Sequence, residues 1–135
     1  MPAGQVRTVA ADAASLPFLD DSFDVVSSSL FIHHLEREQV IGAVNEALRV
    51  CRTAVVINDL QRSAMHLALV YAGLPLFRSR LTRHDAVASV RRAYTAEEVC
   101  VMLARTRAAE FGYFHHYLCR FGMIVWKTRQ EHAAI

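Results

Sequence analysis

The sequence predicts an α/β domain, a mainly parallel sheet flanked by helices and closed by a carboxyl-terminal antiparallel hairpin. Three observations predict it. Short β-rich runs alternate with helical patterns along the chain, as layered α/β folds require. Phe23-Asp24-Val25-Val26 and Ala54-Val55-Val56-Ile57 have the apolar content of strands buried on both faces, the habit of parallel sheets. The last two β-rich stretches, about Phe111 to Leu118 and Phe121 to Lys127, are joined so closely that only an antiparallel pair fits.

Taken in order, a first strand is expected over Val6 to Ala10, ending at Asp12, followed by turn residues Pro17 and Asp20-Asp21-Ser22. Phe23 to Ser28 reads as the second strand. Glu36 to Val50 reads as a helix, because Val40, Ile41, Val44, Ala47 and Leu48 form one apolar stripe. Ala54 to Ile57 is the third strand, with Asn58-Asp59 at its exit. Gln61 to Arg92 is mostly helical and broken near Gly73-Leu74-Pro75, since proline disrupts a helix interior. Thr95 and Glu98 have the spacing of a capping box, so a helix should start at Ala96 and run through Val99, Met102 and Leu103.

Composition narrows the functional classes. With 135 residues, 53% of them apolar, the chain holds one core and one domain, 1–135. A net charge of +2 is too small to argue for nucleic acid, and the loose basic group from Arg78 to Arg92 reads as a solvated loop and helix face. Cys51, Cys100 and Cys119 are widely spaced and odd in number, which suits a reducing cytoplasm better than a disulfide framework or zinc site. The amino-terminal residues lack a signal-peptide core. The longest apolar run, Ala64 to Phe77, falls short of the ~18 residues of a spanning helix. The expectation is a cytoplasmic protein without membrane or nucleic-acid partners.

One string carries more specific information: Asp12-Ala13, Leu16-Pro17-Phe18, Asp21-Ser22-Phe23-Asp24-Val25-Val26 and His33-His34-Leu35, followed by Glu46-Ala47-Leu48-Arg49-Val50. It resembles the small-molecule class I S-adenosylmethionine (SAM)-dependent methyltransferases, in which this spacing marks the third strand, the fourth strand and the following helix. The resemblance implies a Rossmann-like methyltransferase sheet, SAM as cofactor and methyl transfer to a small organic acceptor. It implies that Asp12 accepts from the adenine amino group beside the Ala13 backbone, and that Leu16 and Phe18 flank the adenine. Ser28, Ser29 and Leu30 would lie along the methionine part, with His33 nearby. Such a placement agrees with the rule that ligands of open α/β sheets bind outside the carboxyl ends of strands.

Each assignment has a structural alternative. Asp12 caps a turn, the serines let the chain leave the sheet, and His33 and His34 are packing or loop residues. The pairs His33-His34 and His115-His116 lack the i, i+4 spacing of helical metal ligands, so no metal is expected. On the acceptor side, Asn58, Arg62, His84 and Tyr94 are candidate substrate contacts, and residues 61–95 would form a helical lid. His84 with Asp85, or Asp59, would orient or deprotonate an acceptor hydroxyl. The Asp/Asn-Pro-Pro-aromatic motif of nucleic-acid amino-methylating enzymes is replaced by Ser28-Ser29-Leu30-Phe31, and no Gly-x-Ser-x-Gly elbow suggests a serine hydrolase.

The chain departs from the family in two places. Cys51-Arg52-Thr53 stands where the family has a Pro-Gly-Gly turn. Upstream of Asp12, the Gly-x-Gly strand and the carboxylate that holds the ribose are not among these residues, so an amino-terminal truncation is expected. Two lost charged hydrogen bonds, at roughly 1.5–3 kcal/mol each, would weaken cofactor binding about a hundredfold to ten-thousandfold. An exposed sheet edge would follow and invite homo-oligomer formation. The rival reading is a non-catalytic remnant acting as an interaction module.

Overall fold

A computed structural model describes residues 6–76, 78–116 and 119–129. Its elements are β1 (Phe23–Ser29), α1 (Arg37–Val50), β2 (Cys51–Leu60), α2 (Ala64–Gly73), α3 (Arg80–Arg92), α4 (Ala96–Leu103), β3 (Glu110–His116) and β4 (Arg120–Trp126). Short 3-10 turns cover Ile32–His34 and Leu74–Leu76. The strands form one sheet in the order β1-β2-β4-β3. β1 runs parallel to β2, with Val25 opposite Ala54 and Ser29 opposite Asn58. β4 lies antiparallel to both β2 and β3, with Ile57 opposite Met123 and Tyr113 opposite Met123.

The core forms where helical and strand periodicities meet. The α1 stripe of Val40, Ile41, Val44, Ala47 and Leu48 joins Val55 and Ile57 of β2 and the alternating Phe121, Met123 and Val125 of β4. Val99, Met102 and Leu103 of α4 complete the cluster. Full burial of one such side chain contributes roughly 1.5–3 kcal/mol. The Thr95–Glu98 capping box is present: the Thr95 hydroxyl accepts from Glu98 N at 3.3 Å, and a Glu98 carboxylate oxygen accepts from Thr95 N at 2.9 Å.

The α/β class and closing hairpin are as expected, but three details differ. The sheet is mixed rather than mainly parallel, because one of its three pairings is parallel and two are antiparallel. Val6 to Ala10 forms no strand, and Val6 and Val9 are exposed. A β-prone run becomes a strand only where an edge accepts its hydrogen bonds, and among the described residues no strand pairs with it. β2 begins at Cys51, directly after α1, rather than at Ala54, because Cys51 already pairs with Phe23. The predicted hairpin end at Leu118 lies outside the described residues. β1 is left at the sheet edge, with Phe23 and Val25 partly exposed.

Candidate functional site

The parallel pairing of β1 and β2 brings their carboxyl ends to the same side of the sheet. β1 leaves through Leu30, whose φ of 52° lies in the left-handed region, unusual for a bulky side chain. Leu30 N donates to Asn58 O at 2.9 Å, so the turn is pinned to the end of β2. Asn58 Oδ1 is buried and has no hydrogen-bond partner among the described residues. A buried acceptor left unpaired calls for a donor from water or ligand.

Next to it, Asp59 is 1% exposed and organises the turn. Its Oδ2 accepts from Phe31 N at 3.0 Å and Ile32 N at 2.8 Å. Its Oδ1 accepts from Leu60 N at 2.7 Å and meets His33 Nδ1 at 2.6 Å. An ionised carboxylate only accepts hydrogen bonds, so Nδ1 carries a proton, and in the neutral ring Nε2 keeps the lone pair. Asp59, a candidate base in the sequence, has both oxygens engaged inside the protein. It positions His33, itself buried with its ring 4.0 Å from that of His34.

Beside the strand ends lies a cavity of about 350 Å³, lined by Ala13 and Leu16 of the preceding loop, Ser28 and Ser29 of β1, and Ala43 and Ala47 of α1 among others. Four of the eight predicted cofactor contacts, Ala13, Leu16, Ser28 and Ser29, are therefore brought together. Asp12, Phe18, Leu30 and His33 do not line it. Asp12 is exposed and its Oδ1 accepts from Ala14 N at 2.9 Å, capping its own turn. Phe18 packs edge-on against Phe23, with ring centroids 4.9 Å apart.

The cavity wall is held by two residues that were not singled out as site residues. Glu46 Oε1 accepts from Leu16 N at 2.9 Å and from Arg49 Nη2 at 2.7 Å. Arg49 donates back to Leu16 O at 3.1 Å and to Asp20 at 2.6 Å. This exchange ties the 12–20 loop to α1. The Arg49 hydrogen bond holds the Glu46 carboxyl below its usual range, and Glu46 and Asp20 in turn raise the guanidinium. The only signal in the sequence was the Glu46-x-x-Arg49 spacing, which does not reveal its partner in the loop.

The proposed acceptor-side residues do not converge. Arg62 makes two hydrogen bonds of 2.9 Å to Glu98, which also pairs with Arg37 at 2.9 Å. Tyr94 is buried and donates to Leu35 O at 2.6 Å, and burial raises its hydroxyl pKa. Both residues thus hold the chain together where substrate contact was expected. His84 is exposed on α3 and lines an open depression that shares no residue with the Ala13–Ser28 cavity. Asn58 alone of the four reaches the strand ends.

Comparison with known proteins agrees with this architecture. Residues 2–57 match a family model described as a methyltransferase domain. A comparison with curated proteins found no match. Among solved structures, a SAM-dependent methyltransferase from Methanosarcina mazei superposes with a TM-score of 0.58 at 18% identity, covering 89% of this chain and 66% of that one. A SAM-dependent methyltransferase from Thermotoga maritima gives 0.60 at 14% identity, covering 86% and 61%. A protein from Nostoc punctiforme gives 0.60 at 11% identity, covering 87% of this chain and 35% of that one. The chain thus spans between about a third and two thirds of the length of these structures. Residues 2–57 are thus similar in sequence to a methyltransferase domain, and most of the chain shares the fold of these methyltransferase structures.

Proposed function

We propose that this chain takes part in SAM-dependent methyl transfer to a small organic acceptor, with the cofactor seated at the carboxyl ends of β1 and β2. The observation that carries the reading is the cavity at the strand ends, which brings Ala13, Leu16, Ser28 and Ser29 together. When bound, the cofactor supplies an electrophilic methyl group on a sulfonium sulfur. Ala13 and Leu16 offer an apolar wall suited to a flat base, and Ser28 and Ser29 offer hydroxyls for the amino-acid part. His33, held by Asp59 through Nδ1, fixes the turn beyond β1. Alignment of the nucleophile with the methyl group then supplies most of the rate.

Nuclear magnetic resonance titration of the chain with S-adenosylhomocysteine tests this reading. Shifts should concentrate at Ala13, Leu16, Ser28 and Ser29, and Ser28→Phe, which fills the cavity, should weaken them at least tenfold. Millimolar ligand producing no shifts, or shifts clustered elsewhere, overturns the reading. A methyl-transfer assay with radiolabelled SAM then separates a working enzyme from a binding module.

Two further expectations stand as proposals. The unpaired edge of β1 favours addition of a strand from a second copy of the chain; light scattering that finds a monomer at high concentration counts against it. The free thiols of Cys51, Cys100 and Cys119 support a reducing, cytoplasmic setting.

A further inference from the structure

The helical hairpin of α2 and α3 combines exposed apolar surface with positive charge. Every residue of α2 but His66 is apolar or glycine, yet none of the ten is buried. Its His66, Leu67 and Val70 are half-covered, whereas Met65, Leu69 and Ala72, one turn apart on the other side, are exposed. Leu76 and Leu81 beyond it are 85% and 77% exposed. The segment from Ala64 to Arg92 carries five arginines, Arg78, Arg80, Arg83, Arg91 and Arg92, against one carboxylate, Asp85. Arg78, Arg80 and Arg92 have no ion-pair partner among the described residues. The helices form one unit, since Arg91 donates to Tyr71 Oη at 3.0 Å and a cavity between them is lined by Leu67 and Val90.

We infer that this hairpin docks on an anionic membrane surface. A lid over a small acceptor uses the inward, half-covered side of α2 and leaves Met65, Leu69, Leu76 and Leu81 in water. Nucleic acid matches the arginines and finds no use for the exposed aliphatic residues. A lipid surface receives both, the aliphatic groups at the acyl boundary and the guanidiniums among the headgroups. A ten-residue helix rises only about 15 Å, half the ~30 Å hydrocarbon thickness, and no helix among the described residues is long and apolar enough to cross a membrane. The hairpin therefore lies in the interface and holds the strand-end cavity near molecules dissolved in the bilayer.

Co-sedimentation of the chain with vesicles tests this. Vesicles of equal phosphatidylglycerol and phosphatidylcholine should bind the protein at least tenfold more tightly than phosphatidylcholine alone, and 0.5 M salt should weaken the binding to a similar degree, roughly as expected for several basic contacts. Leu69→Asp with Leu76→Asp should abolish binding, and Arg80→Glu with Arg92→Glu should reduce it to the neutral-vesicle level. Arg105→Glu, an exposed site outside the hairpin, should bind as the parent does. Thermal melts of each variant keep loss of binding apart from loss of fold. The inference is overturned if anionic vesicles do not bind the parent chain, if all variants bind alike, or if the leucine pair only turns a dimer into a monomer. Retention of the parent chain by DNA or an acidic peptide, with no vesicle binding, overturns it as well.

Discussion

α1 and α2 are both rich in apolar residues, and their fates differ. α1 mixes polar and apolar residues, and buries Val40, Ile41, Val44, Ala47, Leu48 and Val50 against the sheet. α2 is far more apolar and buries none. The difference lies in patterning and neighbourhood. In α1 the apolar residues fall on one stripe opposite polar positions, which selects a single orientation on the sheet. In α2 they surround the helix, so no orientation is selected and much of the surface remains in water. Around α1 the loop is also clamped by Glu46 and Arg49, and the turn beyond β1 by Asp59, whereas α2 and α3 meet through the exposed Arg91–Tyr71 hydrogen bond. The molecule is therefore divided into a locked half that builds the cavity and an outer hairpin that offers surface.

The largest test of that contrast is Leu48→Ala, which empties the core beneath the cavity and should cost about 2–5 kcal/mol in urea unfolding. Next, Asp59→Asn puts an amide where a carboxylate accepts four hydrogen bonds, so donors face a donor. It should cost about 1.5–3 kcal/mol, with faster hydrogen exchange at the Phe31 and Ile32 amides. Nitrogen chemical shifts of His33 should report a proton on Nδ1 in the parent chain, and that preference should be lost in the variant.

A smaller effect is expected at Glu46, and it depends on pH. Its folded pKa is depressed, chiefly by Arg49, so its contribution is complete above the unfolded carboxylate range and disappears as pH falls through the lower folded value. Glu46→Gln should therefore be less stable than the parent at pH 7, and the gap should close on acidification below about 4. A gap that stays constant with pH would detach the clamp from the Glu46 charge. The smallest effect belongs to the outer hairpin, where Leu69→Ala should change stability by no more than about 0.5 kcal/mol. A loss comparable to that of Leu48→Ala would mean that α2 is packed as α1 is, and the contrast would fail.

How much was legible follows the reach of each interaction. The Thr95–Glu98 cap spans three residues, and the α1 stripe repeats each turn, so both were readable from the chain. The Asp12-to-His34 string pointed to the family, and Ala13, Leu16, Ser28 and Ser29 do meet at one cavity. Asp12 and Tyr94 were drawn to the site by their chemistry, but one caps its own turn and the other reaches Leu35 O, 59 residues away in sequence. Arg62 likewise went to Glu98, and Asp59 to backbone amides 27 and 28 residues earlier.

The sequence by itself determined the α/β class, the helix and hairpin positions, the family likeness and four of the residues that meet at the strand-end cavity, Ala13, Leu16, Ser28 and Ser29. Those rest on local propensity, periodicity and spacing, which act over a few residues. Only the tertiary structure decided that the sheet is mixed, that Val6 to Ala10 stays out of it, that Asp59 positions His33 and that Glu46 with Arg49 holds the cavity wall. Strand pairing and the satisfaction of buried polar groups depend on partners far along the chain, and those partners exist only once the fold has brought them together.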